Sequence, residues 1–452
     1  MSSGGRRVLH FVVFLVIVAA VLSAFAAWQL QHVASLPAQP VTPFAASSLL
    51  VEPIAEGPNA EQVRHGQYLV RVGDCLSCHL APGGQPFAGG LGLNTPFGVI
   101  YSANITPDTK TGIGNWTPDQ FYSAMHDGKG SKGRLYPAFP YPWFTRVNHA
   151  DDDAIFAYLK TIPPVDYTPP ANRLPFPLGI RGLVGGWNLL FFRKTEFTAD
   201  TSQSAEWNRG AEIVGGLGHC TACHSPKNVL GAEKSAKKFE GGVLEGFVAP
   251  DLTGNGRAGL GSWTLDDITE YLQTGSNARA GASGPMAEVI TYSTSLMTDA
   301  DRHAIAVYLK SLPASGDEST KAPDAIAMKR GAAIYSDACA SCHLEDGVGQ
   351  PRFFPPLGKN AVVQQRDPTS VVHLVLAGGR VGPSATRPSP LTMPSFAWKL
   401  SDQEIADVST FLRNSWGNQA APVSADQVKR QREKLDLTHE HLTENSGDHA
   451  ND

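Results

Sequence analysis

Apolar positions divide the chain into one unbroken run and a series of recurring amphipathic segments. The run extends from Phe11 to Trp28, 18 residues without a charge, behind Arg6 and Arg7. It is just long enough to cross a bilayer, with the arginines held on the cytoplasmic side. "AFA" at Ala24–Ala26 also resembles a signal-peptide cleavage site. The length of the run and the interfacial Trp28 favour a retained transmembrane helix within residues 1–30. On either reading the rest of the chain is exported.

Beyond the run, two kinds of helical pattern alternate three times. Opening segments carry glycine after a basic residue or histidine: "RHGQYLVRVGDC" with Gly66, "NRGAEIVGGLGHC" with Gly210 and "KRGAAIYSDAC" with Gly331. Closing segments, "DDDAIFAYLKTIPP", "DADRHAIAVYLKSLP" and "LSDQEIADVSTFLRNSW", begin acidic and end at Lys160, Lys310 or Arg413, as a helix dipole favours. Pro163 and Pro313 stop the first two. Glycine inside a helix costs roughly 1 kcal/mol against alanine, so the three glycines predict close approach to Tyr158, Tyr308 and Phe411 of the closing helices.

This repetition sets the expected organisation: an anchor or signal over 1–30 and repeats over 55–166, 201–314 and 326–418, with linkers at 167–200 and 315–325. A polar mobile tail is expected over 419–452. Within the first linker, "GGWNLLFF" is apolar enough to dock on a partner, a membrane surface or the repeats themselves. The fold class that follows is all-α: three tandem helical domains behind an N-terminal transmembrane helix.

The chemistry lies between the paired helices. All six cysteines fall in three identical frames: Cys75, Cys78 and His79; Cys220, Cys223 and His224; Cys339, Cys342 and His343. Cys-x-x-Cys-His is the attachment signature of c-type haem, with the thiols bonded to the porphyrin and the adjacent histidine bound to iron. Zinc would need four ligands, and no frame has a partner frame close by. Three covalent haem c groups are therefore expected, one in each of three tandem class I cytochrome c domains. The glycine clusters in "NITPDTKTGIGNWT" and "DLTGNGRAGLGSWT" follow no strand and suit turns around a haem edge better than a dinucleotide loop. Trp116 and Trp263 either shield a porphyrin or pack the core. Net charge near −5 says nothing about nucleic acid, but no basic patch with interleaved aromatics is present, and no nucleic-acid partner is expected. No Ser-His-Asp set, acid pair or phosphate loop offers a catalytic site.

Sixth ligands follow from the few methionines. Met286 in "GPMAEV" and Met393 in "LTMPSF" precede the second and third closing helices and are assigned to iron. In the first repeat that place is held by Phe139, which cannot ligate. Met125, aligned with Leu272, is the replacement assigned here; the alternative is that it is simply the core residue that Leu272 is. His126 lies about 100° round the helix and is a weaker candidate.

With "LYPAFPYPWF", "GPMAEVITYSTSLMTDAD" and "LTMPSFAWKLSDQEIADVSTFLRNSWGN" in place, the chain from about residue 55 to 418 resembles the three-haem cytochrome c subunit of membrane-associated periplasmic dehydrogenases. That resemblance implies a subunit at the inner membrane with its haems facing the periplasm. It would take electrons from a catalytic subunit and pass them to ubiquinone or a terminal oxidase. The partner would be a quinoprotein, a flavin enzyme or a molybdenum hydroxylase. Phe139 following Ala124–Met125 is more similar to the molybdenum hydroxylase branch. The alternative is a peroxidase-like haem enzyme with an open distal site at the first haem.

Overall fold

The computed structural model describes residues 57–244, 246–316, 320–380, 382 and 391–437. In the first repeat α1 (Ala60–Val72) opens, α2 (Cys75–His79) carries the first motif, and α3 (Pro118–Asp127), α4 (Tyr141–Phe144) and α5 (His149–Leu159) follow. Short α6 (Val184–Phe191) lies in the linker. The second repeat comprises α7 (Ala205–Gly215), α8 (Thr221–His224), α9 (Leu265–Thr274), α10 (Pro285–Tyr292) and α11 (Asp299–Lys310). The third has α12 (Ala325–Ala338), α13 (Ala340–His343), α14 (Thr369–Ala377) and α15 (Asp402–Leu412), and α16 (Ala425–Lys434) comes after it.

Side-chain caps set half of the described helix starts. Asn148, Thr298 and Ser401 accept the N–H three residues on at the heads of α5, α11 and α15, and Thr117 and Thr264 form capping boxes at α3 and α9. Helices α3 and α9 both end at a left-handed glycine, Gly128 and Gly275.

The heaviest packing joins α1 to α5, α7 to α11 and α12 to α15. At each crossing a glycine meets backbone. A Cβ on Gly66 would fall 1.8 Å from the Ala154 carbonyl oxygen, on Gly210 2.0 Å from that of Ala304, and on Gly331 2.3 Å from that of Asp407. Gly210 and Gly331 also abut Tyr308 and Phe411, as the sequence predicts. At Gly66 the nearest atoms belong to Ala154 and Ile155, a turn before Tyr158. The closing-helix cations reach across their repeats: Lys160 to the Gly114 carbonyl, Lys310 to those of Leu260 and Gly261 at 3.0 Å, and fully buried Arg413 to that of Val363 at 2.9 Å.

The all-α expectation is corrected by four antiparallel two-stranded ribbons: β1 (Gly92–Thr95) with β2 (Gly98–Tyr101), β3 (Lys129–Gly130) with β4 (Gly133–Arg134), β5 (Gly242–Leu244) with β6 (Phe247–Ala249), and β7 (Gly379–Arg380) with β8 (Thr392–Met393). Strands of two to four residues are too short to show a period of two. Nor are the first two repeats separate bodies. One hydrophobic core runs from Val63 and Phe87 through Leu217 to Ile305, whereas the third repeat has clusters of its own. No described helix is long and apolar enough to cross a membrane, and the anchor expected within residues 1–30 lies outside the described residues.

The described part of the expected tail, up to residue 437, and the first linker also pack. In α16 Val428 is fully buried, and Arg432 donates to the carbonyls of Ala397 and Leu400, both at 2.8 Å, while pairing with Asp402. In the linker, Arg173 and Val99 exchange backbone hydrogen bonds, and Tyr141 donates its hydroxyl to Asn188 at 2.5 Å.

The glycine crossings are open to a direct test. Gly210→Ala gains at most about 1 kcal/mol of helix propensity, but its methyl overlaps a carbonyl that cannot rotate away. The expected outcome in thermal unfolding is a net loss on the order of 2 kcal/mol, whereas Gly256→Ala, with open space around it, changes little.

Candidate haem sites

Each attachment motif forms one short helical turn, so its two thiols and its histidine project from adjacent positions. The six cysteines are unbridged and partly buried. Burial pushes the Cys75 and Cys220 thiols up to about 12 and that of Cys339 to about 11, which favours the neutral thiol.

The histidines carry the clearest signature. His79 Nδ1 lies 2.6 Å from the Ala103 carbonyl, His224 Nδ1 2.7 Å from that of Pro250, and His343 Nδ1 3.0 Å from that of Pro355. A carbonyl only accepts, so the ring proton sits on Nδ1 and Nε2 keeps its lone pair. Burial lowers the pKa of all three, opposed by that same backbone hydrogen bond, and so favours the neutral ring. A neutral imidazole with fixed orientation and tautomer is what a metal requires of histidine. The donor set therefore fits covalent haem at each motif. Cys78, Cys223 and Met393 line one cavity of about 3300 Å³ among the repeats.

The methionines sit as follows. Met125 is 4% exposed, on α3 inside the shared core. Phe139 is half-buried against that core, its ring edge-on to Phe144 at 5.4 Å. Met286 packs against the same core from the first turn of α10, and Met393 packs against the third-repeat cluster from β8. His126 Nε2 is taken by Asp152 at 2.6 Å, with both side chains about 1% exposed. Trp263 is buried and Trp116 partly so. The glycine clusters form turns: Gly112 and Gly114 abut the carbonyls of Thr106 and Pro107, and Gly259 and Gly261 those of Thr253 and Gly254.

Sequence reasoning missed how the first two motifs face each other. Trp143, at α4, donates its indole N–H to Thr221 of the second motif at 2.6 Å. Phe144 meets His219, the residue before Cys220, at 5.6 Å between centroids. In the opposite direction α10 packs on α2, Leu217 closes over Gly73, and Ser293 reaches the Val72 carbonyl at 3.3 Å. Each motif thus abuts a helix of the other repeat, the first α10 and the second α4. The aromatic "YPWF" was the only local signal of this contact.

These features define a covalent-haem electron carrier of c type. The cytochrome c family model matches residues 208–313 and 328–416. It finds two regions where the sequence reading expected three tandem domains, and the first repeat lies outside both. The chain is 39% identical over 393 residues to the gluconate 2-dehydrogenase cytochrome c subunit of Pantoea cypripedii, covering 82% of this chain and 89% of that one. It is 39% identical over 400 residues to the cytochrome c subunit of the quinone alcohol dehydrogenase of Gluconobacter oxydans, covering 84% of each. Similarity to one of the nicotinate dehydrogenase subunits of Pseudomonas putida is 41% over 369 residues, which is 79% of this chain and 30% of that protein. The chain belongs to the family of cytochrome c subunits of dehydrogenases, and its role is electron transfer.

Asp74, just before the first motif, yields a pH prediction. Burial lifts its carboxyl from 3.8 to about 7; a hydrogen bond from Ser77 opposes this and nearby Glu288 adds to it. The folded chain then binds more protons than the unfolded one between those values, so stability falls as pH rises through that window and the loss is complete above about 7. Asp74→Asn keeps an acceptor for Ser77 without the charge. Melting curves at about pH 4.5 and pH 8 should show the variant gaining on the wild type only at the higher pH.

Proposed function

We propose that this chain holds three covalent haem c groups and relays electrons from a catalytic dehydrogenase subunit to ubiquinone or a terminal oxidase, at the periplasmic face of the inner membrane. The observation that carries the reading is the threefold recurrence of a motif histidine whose Nδ1 is committed to a backbone carbonyl. The haem supplies one-electron chemistry at its iron. His79, His224 and His343 would each bind an iron, and the cysteine pairs would hold each porphyrin covalently. Met286 and Met393 would serve the second and third irons as thioether ligands, and Met125 the first, with Phe139 filling the space that a methionine at its own position would take.

The dehydrogenase partner is inferred from relatives named as subunits of gluconate, alcohol and fructose dehydrogenases. Among partner types we favour a molybdenum hydroxylase, on Phe139 following Met125 and on the likeness to the nicotinate dehydrogenase protein.

Two measurements test this reading. Purified through a tag on this chain in mild detergent, the native complex should contain three haems per copy in a pyridine haemochrome assay, with molybdenum and additional iron in fixed ratio. Two haems would remove the threefold relay, and flavin or a quinone cofactor without molybdenum would remove the hydroxylase partner. Separately, Met125→Leu should convert one haem in three to a high-spin, cyanide-binding form in magnetic circular dichroism. An unchanged low-spin spectrum would remove Met125 as a ligand.

A further inference from the structure

Large apolar side chains exposed to solvent concentrate in one region. Phe176 is 77% exposed, Leu183 51%, Leu189 77% and Leu190 62%, all in or just before α6. Val229, 91% exposed, and Leu230, 50% exposed, come from a loop of the second repeat. The Trp187 indole N–H donates to the Leu230 carbonyl at 2.9 Å and ties the two segments into one surface. Leu183, Leu190, Val229 and Leu230 also line the cavity that Cys78 and Cys223 face, so the apolar surface forms the rim of the space leading to the first two motifs.

Along the linker segment of this rim the charge is one-sided, although Glu233 and Glu240 line the cavity from the second repeat. From Arg173 to Lys194 there are four basic residues and no acidic one, in a chain that has 42 acidic against 37 basic residues overall. Lys194 pairs with Asp127 at 3.1 Å. Arg181 and Arg193 donate to backbone carbonyls, and Arg173 lies over the Tyr101 ring. Among the described residues none of these three arginines forms an ion pair, so their charges remain uncompensated.

An apolar ridge flanked by such arginines matches the boundary between acyl chains and anionic headgroups, where basic residues near the surface are attracted to the lipid charge. A patch of this kind needs a covering. We propose that α6 and the loop at Val229–Leu230 rest in the interface of an anionic membrane, so that the cavity of the first two motifs opens towards the lipid. This inference rests on the membrane-side placement in the proposed function and adds which face meets the bilayer.

Haem attachment consumes all six native cysteines, so an added cysteine is the sole free thiol of this chain. Leu190→Cys, and Val348→Cys in the third repeat as the control, are to be spin-labelled in the full chain with its native complex. Each is reconstituted into vesicles of phosphatidylethanolamine and phosphatidylglycerol and checked by flotation. Collision of the label with oxygen, which partitions into lipid, is compared with collision with a water-soluble nickel chelate. The expected result is an oxygen-to-nickel collision ratio several-fold higher at position 190 than at 348. If the complex floats and the two ratios are equal, the face is in water and the inference falls while the membrane placement stands. If the label at 190 is shielded from both reagents, another protein covers the face and the inference falls. If the complex fails to float, the membrane placement falls with it.

Discussion

The backbone contact between opening and closing helices is the constraint on which the rest depends. A carbonyl about 2 Å from where a Cβ would stand means that α1 and α5, α7 and α11, and α12 and α15 touch main chain to main chain. No other residue permits that approach. Because each opening helix runs directly into its attachment motif, the crossing also sets where the cysteines and histidine stand relative to the closing helix. The histidine is then oriented by a carbonyl from the middle of its repeat. Glycine at the crossing and a carbonyl at Nδ1 are thus two ends of one arrangement: the first places the ring, the second fixes its tautomer.

Joining the first two repeats into one core changes what each motif meets. A motif in an isolated repeat would face solvent, whereas here the first lies under α10 and the second under Trp143. The fixed relation between them is carried by apolar contact, with the indole hydrogen bond and the Tyr68–Asp301 bond adding direction. The third repeat attaches differently. It reaches the second mainly through polar and backbone contacts, such as Ser370 bonded to both backbone groups of Val248 and His373 stacked on Phe247.

The sequence made legible whatever is local and repeated. The attachment frames, the three glycines, the capping residues and the glycine turns each depend on a few neighbouring positions, and threefold recurrence separates them from chance. Features that depend on distant partners were hidden. Lys160, Lys310 and Arg413 suggest ordinary dipole complements at helix ends, yet they reach carbonyls of the middle loops, which only the tertiary fold brings near. The charged C-terminal stretch suggests a mobile tail because it has few large apolar residues. It nevertheless holds a capping box at Ser424 and Gln427, one fully buried valine, and an arginine satisfied by two carbonyls and a carboxylate. Composition counted the charges but could not show that their partners were waiting.

Phe139 shows how one substitution can serve two ends of a structure. In its own repeat it is a half-buried ring where the other two repeats offer a thioether. Its edge meets Phe144, and Phe144 in turn meets His219 at the threshold of the second motif. Burial pushes His219 down to about 4, and its ring bonds to backbone at Gly73, so it stays neutral and apolar in effect at ordinary pH. The three rings therefore form a continuous row from the loop of the first repeat to the attachment site of the second. A flexible methionine at 139 would not present a flat edge to Phe144. Aromatic stiffness at this position strengthens the junction between the first two repeats, while on the proposed assignment the thioether is carried one helix away by Met125 in the core. The exchange of Met for Phe is thus consistent with the shared core itself, which holds both residues.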